Sequence, residues 1–263
     1  MIRLEFEITH LCNKYCPLCD HRIRWSNYKF LTFKQYNKVV SFITPEQKER
    51  IYSVFVIGGE PLCHPYFETF IKKIHRDFPK SRIVVSTNGR LLPLLTKEVF
   101  NMCIFTTRIY KGWNDDVLEI YKNHPNVINE SILRDHADAG LFQNPFLDLN
   151  LPEDMAKEID KKCIHQIRII GTKLYKCCMA EGIERMCKTD PIHIEFDKNW
   201  LENWKKIPNW RACAHCRKTI NWFVSLNDDG SCYLDKKKRI GTSKTKKDKQ
   251  LIKKYKLCKM PKF

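Results

Sequence analysis

The sequence predicts an α/β fold, with a parallel sheet and covering helices forming a partial barrel, followed by a small cysteine-rich α+β domain. Three observations carry this reading. Apolar strand signals alternate with amphipathic helix signals through the first half of the chain, and three of the strand ends lead into cysteine or glycine motifs. After residue 150 the pattern changes, and eight of the thirteen cysteines appear. Repeated β-α units of this length imply parallel pairing, because each strand returns to the same edge through a crossover helix.

In chain order, "RLEFEI" (Arg3 to Ile8) alternates apolar and charged residues and reads as a strand. "TFKQYNKVVSFI" has helical periodicity, and "SVFVIGG" is a short apolar strand closed by glycines. "PYFETFIKKIHRDF" is a helix with proline in its first turn, and "RIVVSTNG" a buried strand ending in turn residues. "LTKEVFNMC", "IFTTRIY", "DDVLEIYKN" and "VINESIL" continue the alternation. Five strands are visible by Leu133, short of the eight of a closed (β/α)8 barrel. From about Leu151 the rhythm is lost. "HQIRIIGTKLYKCC" reads as a hairpin turning at Gly171 and Thr172, and "WLENWKKIPNW" as a short helix leading to "CAHC". The expected divisions are a core over 1–150, a cysteine-rich domain over 151–230 and a lysine-rich tail over 231–263.

Composition narrows the class. The chain has 263 residues, 43% of them hydrophobic, enough to bury a real core. No apolar run approaches the roughly 20 residues that span a bilayer. The N-terminus lacks a signal-peptide pattern, so a cytoplasmic address and no membrane partner are expected. In that compartment thirteen cysteines indicate metal sites, not disulfides. The net charge of +17 is uneven: Ser231 to Phe263 holds thirteen Lys or Arg against two Asp. Such a tail suits RNA or an acidic partner, but the missing interleaved aromatics favour a solvated tail.

"HLCNKYCPLCDH" places Cys12, Cys16 and Cys19 in one loop after the first strand. Thiolates suit zinc or iron–sulfur clusters. A structural zinc wants four protein ligands, so His10 or His21 would have to complete it. Three thiols could instead hold three irons of a cubane and leave the fourth iron open.

C-x3-C-x2-C after the first strand, "GGEP" after the second and "STNG" after the third together resemble the radical S-adenosylmethionine (SAM) superfamily, over roughly residues 1–133. The resemblance implies a partial (β/α)6 barrel. It implies a [4Fe–4S] cluster on Cys12, Cys16 and Cys19, with SAM on the open iron. Gly58, Gly59 and Glu60 match the motif that holds the SAM amino group; Ser86 and Asn88 match positions near its ribose and carboxylate. Reductive cleavage of SAM would yield a 5′-deoxyadenosyl radical that takes hydrogen from substrate, with a flavodoxin- or ferredoxin-type electron donor. One departure is Leu18, where the family often has an aromatic residue before its third cysteine. Taken singly, "GGEP" and "STNG" are ordinary turns, and Cys63 and Cys103 read as small buried hydrophobes.

The later cysteines resemble the auxiliary-cluster extensions of this superfamily, SPASM and Twitch. Trp222 interrupts the longer SPASM pattern, so the one-cluster Twitch form is expected. Cys163, Cys177, Cys213 and Cys216 are its expected ligands, with Cys178 an alternative to Cys177. A four-cysteine zinc site has the same spacing. Cys187, Cys232 and Cys258 are left spare.

An auxiliary [4Fe–4S] cluster saturated by four thiols would accept an electron from a substrate radical. The first expected function is therefore dehydrogenation of a small polar metabolite such as a sugar or aminocyclitol. Peptide or protein maturation is the alternative, though relatives of that kind often carry a leader-recognition domain and this chain starts at its first strand. RNA modification docked by the tail is a third reading, and a non-enzymatic zinc module a fourth. Arg108, Glu130 and Asp135 lie near strand ends, and nothing selects one of them as a base.

Overall fold

A computed structural model describes residues 1–14, 16, 19, 26–28, 30–110, 112–133, 151–163, 165–216, 224–226 and 232–234. Leu18, Asp135, Trp222, Cys258 and nearly all of the basic tail lie outside them.

The alternating N-terminal run forms β1 (Ile2–Thr9). Thr32 caps α1 (Phe33–Ser41), and Thr44 caps α2 (Pro45–Arg50); both helices close a capping box with the glutamine three residues on. There follow β2 (Ile51–Gly58), α3 (Phe67–Asp77), β3 (Arg82–Thr87), α4 (Lys97–Met102), β4 (Cys103–Tyr110), α5 (Asp115–Ile120) and β5 (Val127–Leu133). Beyond residue 150 come α6 (Glu153–Lys162), β6 (Ile167–Ile170), β7 (Lys173–Tyr175), α7 (Ala180–Cys187), β8 (Ile194–Glu195), α8 (Trp200–Lys206) and α9 (Trp210–Cys213). A separate antiparallel pair, β9 (Val224–Leu226) and β10 (Cys232–Leu234), completes the described elements.

Eight strands form one sheet in the order β5-β4-β3-β2-β1-β6-β7-β8. All pairs from β5 to β6 are parallel, and β6-β7-β8 turn back as an antiparallel meander. The mostly parallel α/β architecture is as expected, and the hairpin turns at Gly171, whose φ is +62°. The position of the sixth parallel strand corrects the reading after Leu151. The rhythm runs one unit further, through α6 and β6, and β6 pairs with β1 on the side away from β2. The sheet therefore crosses the expected boundary without a break.

Residues paired across a sheet face the same side, and this sorts the two faces. Leu4, Phe6 and Ile8 of β1, fully buried, join Val54, Val56, Ile83, Val85, Phe105 and Ile169 in the main core beneath α1 and α3. The opposite, inner face carries Glu5 and Glu7 of β1, Phe55 of β2, Ser86 of β3 and Thr106 of β4. Toward β6 and β7 this face is covered by a second small core that includes Ile170, Tyr175, Ile183 and Ala212. Toward β3 and β4 it opens: Ser86 and Arg108 are exposed and Thr106 half-buried. No helix among the described residues is long and apolar enough to cross a membrane.

Candidate functional site

Hydrogen bonds hold the three sequence motifs together at the C-terminal ends of β1, β2 and β3. Gly58 ends β2 at φ +147°, and a Cβ there would lie 2.1 Å from the Thr9 carbonyl oxygen. Only glycine lets the strands approach so closely at that point. The Gly59 N–H donates to Thr9 carbonyl oxygen (2.7 Å) and the Glu60 N–H to that of Leu11 (2.7 Å), stitching "GGEP" to the chain that enters the cysteine loop.

Glu60 is completely buried. Its Oε1 accepts from the Leu62 N–H (3.1 Å) and the Thr87 hydroxyl (2.6 Å), and its Oε2 from the Asn88 N–H (2.7 Å). The carboxylate thus joins the "GGEP" and "STNG" turns, a structural role that the motif alone did not disclose. Burial pushes its pKa up to about 7, against the opposing bonds from Thr87, Asn88 and Leu62. These three donors are neutral, and a carboxylate has about four acceptor positions.

Asn88 belongs to the same network. Its Nδ2 donates to Asn13 Oδ1 (2.8 Å), inside the cysteine loop, and its carbonyl accepts from Asn114 Nδ2. Asn114, fully buried, also accepts from the Tyr110 N–H and donates to the Arg108 carbonyl, drawing in the end of β4. Ser86 lies one row down from Asn88 on the inner face.

Cys12, Cys16 and Cys19 are half-buried, and the Cys19 N–H donates to the Cys16 carbonyl (3.3 Å). The Lys14 N–H donates to Cys12 Sγ (3.4 Å). Burial pushes the Cys12 thiol up to about 12, with the Lys14 bond opposing and the charges of Glu60, Cys16 and Cys19 adding to the rise. The three thiols and Glu60 therefore share one electrostatic site. Lys14 lies beside it, its Nζ 4.0 Å from the Trp113 ring centre and 4.4 Å from that of Tyr110. Cys103 is core, as expected, whereas Cys63 is half-buried and accepts from the Asn13 N–H.

The second set of thiols gathers where β6 begins and β7 ends. Cys213 and Cys216 are buried on and just after α9. Burial raises the Cys213 thiol, and the neighbouring charges of Cys216, Asp160 and Cys163 raise it further. Cys177 is raised by the adjoining Cys178 thiol, by burial and by Cys216, and its Sγ accepts from the Met179 N–H (3.3 Å). Asp160, unmarked in the sequence, braces this group: His165 Nε2 (2.8 Å) and Asn209 Nδ2 (2.7 Å) donate to it. Cys187 packs beside the second small core. Among the described residues, no three His, Cys, Asp or Glu side chains are arranged to hold a single metal ion.

Residues 6–133 match the model of the radical SAM superfamily. This segment is a radical SAM superfamily domain. Over 98 residues the chain is 26% identical to a GTP 3',8-cyclase of Helicobacter pylori, covering 37% of this chain and 30% of the relative. A 7-carboxy-7-deazaguanine synthase of Rickettsia prowazekii is 32% identical over 94 residues, covering 35% of this chain and 38% of that one. The chain thus spans about a third of the length of these curated relatives. The crystal structure of BtrN in complex with AdoMet and 2-DOIA superposes with a TM-score of 0.52 at 14% identity, over 82% of this chain and 92% of that one. This likeness is one of fold.

The radical SAM family uses SAM and a [4Fe–4S] cluster, and the residues of this domain fit that pair. Three soft thiols share one loop, Gly58 lets the "GGEP" turn close against the strand that enters it, and buried Glu60 is bonded only by neutral donors in the network above. Iron binds thiolates and takes up their charge in a buried loop, and an ammonium answers a buried carboxylate.

Proposed function

We propose that this chain is a radical SAM enzyme that dehydrogenates a small polar metabolite, such as a sugar or aminocyclitol, with a second [4Fe–4S] cluster taking up an electron. The observation that carries the reading is the placing of two thiol sets at opposite ends of β1. Cys12, Cys16 and Cys19 follow its C-terminal end; Cys163 and Cys177 flank the β6–β7 arms at the level of Leu4, which pairs with Ile167. From Leu4 to Thr9 is about 17 Å of strand, at roughly 3.3 Å per residue. A half-open polar face lies between.

When bound, SAM and its cluster would supply a 5′-deoxyadenosyl radical to take a hydrogen atom from carbon, and the second cluster an acceptor for the remaining electron, with the hydroxyl proton leaving to water. The chain's residues position these groups. Cys12, Cys16 and Cys19 hold the first cluster. Gly58 and Gly59 admit the SAM amino group, Glu60 offers it a remaining acceptor position, and Ser86 and Asn88 face its ribose and carboxylate. Cys163, Cys177, Cys213 and Cys216 hold the second cluster. Ser86, Thr106 and Arg108 on the open inner face present hydroxyls and a guanidinium to a polar substrate. The fold shared with BtrN, whose crystals held AdoMet and 2-DOIA, is in keeping with such a substrate. In this reading residues 1–150 are the core, 151–230 carry the second cluster and 231–263 are a tail, with a flavodoxin- or ferredoxin-type protein as donor.

Iron and sulfide content with Mössbauer spectra after anaerobic reconstitution tests this. Wild type should hold about eight irons and a Cys12/Cys16/Cys19→Ala variant about four, as for two cubanes. About four irons in wild type and none in the variant, with zinc retained, would make the later cysteines structural and remove the electron-acceptor argument.

A further inference from the structure

Arg168 is the feature of the inner face that this function does not use. It sits on β6 directly opposite Glu5 and is buried. Its Nε and Nη2 donate to Glu5 Oε2 (3.2 and 3.0 Å), and its Nη1 to Glu7 Oε2 (3.4 Å). The same Nη1 donates to the Cys178 carbonyl oxygen (3.1 Å). Burial disfavours the charged guanidinium, but Glu7 and Glu5 outweigh it and hold it protonated. One fixed cation therefore ties the strand that enters the first cysteine loop to the backbone beside the second thiol set. The Cys178 carbonyl that it grips adjoins Cys177, whose Sγ takes the Met179 N–H (3.3 Å).

We propose that Arg168 is a positioning residue for the auxiliary cluster. Anchored on Glu5 and Glu7, it grips the Cys178 carbonyl, fixes the backbone that carries Cys177, and places a buried positive charge beside the electron acceptor. Hydrogen bonds and net charge around thiolate ligands set a cluster's reduction potential, so the device raises that potential and favours electron uptake from the inner face. This rests on the second cluster of the proposed function.

The test uses anaerobically reconstituted holoenzyme. Cys177→Ser and Cys178→Ser are compared by iron content, and Arg168→Gln and Arg168→Lys by potentiometric titration followed by electron paramagnetic resonance. Cys177→Ser should lose about half of the iron, as one of two cubanes goes, and Cys178→Ser should lose none. Arg168→Gln should lower the potential of the second cluster. Arg168→Lys keeps the buried charge, and with it the fold, but an ammonium cannot bridge three acceptors as a planar fork does. Its spectrum should therefore move away from wild type. An unchanged spectrum and potential in Arg168→Lys, or iron loss in Cys178→Ser alone, would overturn the assignment. About four irons in wild type would remove the second cluster itself, an outcome distinct from both.

Discussion

Single atoms decide the geometry around the "GGEP" turn. At Gly58 a methyl group would meet the Thr9 carbonyl oxygen at 2.1 Å, and its φ of +147° is one that side-chain-bearing residues rarely adopt. Gly58→Ala should therefore force β1 and β2 apart and cost about 2 kcal/mol or more, read as a lower midpoint in urea denaturation of the apoprotein. A midpoint equal to wild type would show that the strands can give way. Glu60→Gln probes the neighbouring bracket differently. The amide oxygen can serve Leu62 and Thr87 or serve Asn88, and the new NH2 group then faces a donor. Leaving one buried donor unpaired costs roughly 1–3 kcal/mol, so this variant should also be less stable, with both turns loosened.

At the scale of elements, legibility followed hydrophobic pattern. β2 and β3 carry apolar runs that mark them as strands, and β2 to β5 were readable in chain order, with β2 read from Ser53 where it begins at Ile51. The helix α2 was not read, because none of its residues is buried and its support is the Thr44–Gln47 capping box with Pro45. The alternation in β1 marked a strand, and Glu5 and Glu7 are as buried in it as Leu4 and Phe6. Their partner Arg168 lies 163 residues from Glu5, and no local pattern announces it. Another such pairing joins α7 to the chain entering β8. Glu184 Oε2 accepts from the Ile192 N–H (2.6 Å), and the carboxylate lies 2.9 Å from His193 Nδ1. Burial raises its pKa, but His193 and the Ile192 N–H outweigh this and hold it below the usual carboxylate value. A carboxyl depressed in the folded state contributes stability above its unfolded pKa and loses it as pH falls through the folded one. Glu184→Gln should thus cost about 1 kcal/mol at neutral pH, and its stability should converge with wild type in acid. A difference that persists unchanged at low pH would assign the effect to packing.

For the whole molecule, the continuous sheet makes the two halves one folding unit. β6 pairs with β1 from Leu4 to Glu7, and Ile167, Ile169, Leu174 and Trp200 belong to the same core as Leu4 and Phe6. Cutting the chain at residue 150 would remove those side chains and turn β1 into an edge. Glu5 and Glu7 would lose the Arg168 guanidinium on that edge. The radical SAM segment and the segment proposed to carry the second cluster are therefore expected to be stable only together. Native-state hydrogen exchange tests this directly, since amides that open in one cooperative event share a free energy. The amides of β1 and β6 should exchange with the same free energy and the same denaturant dependence. If β6 and β7 opened at lower denaturant while β1 stayed protected, the halves would be independent units. The spacing between the two thiol sets would then be set by docking, and no longer by the strand itself.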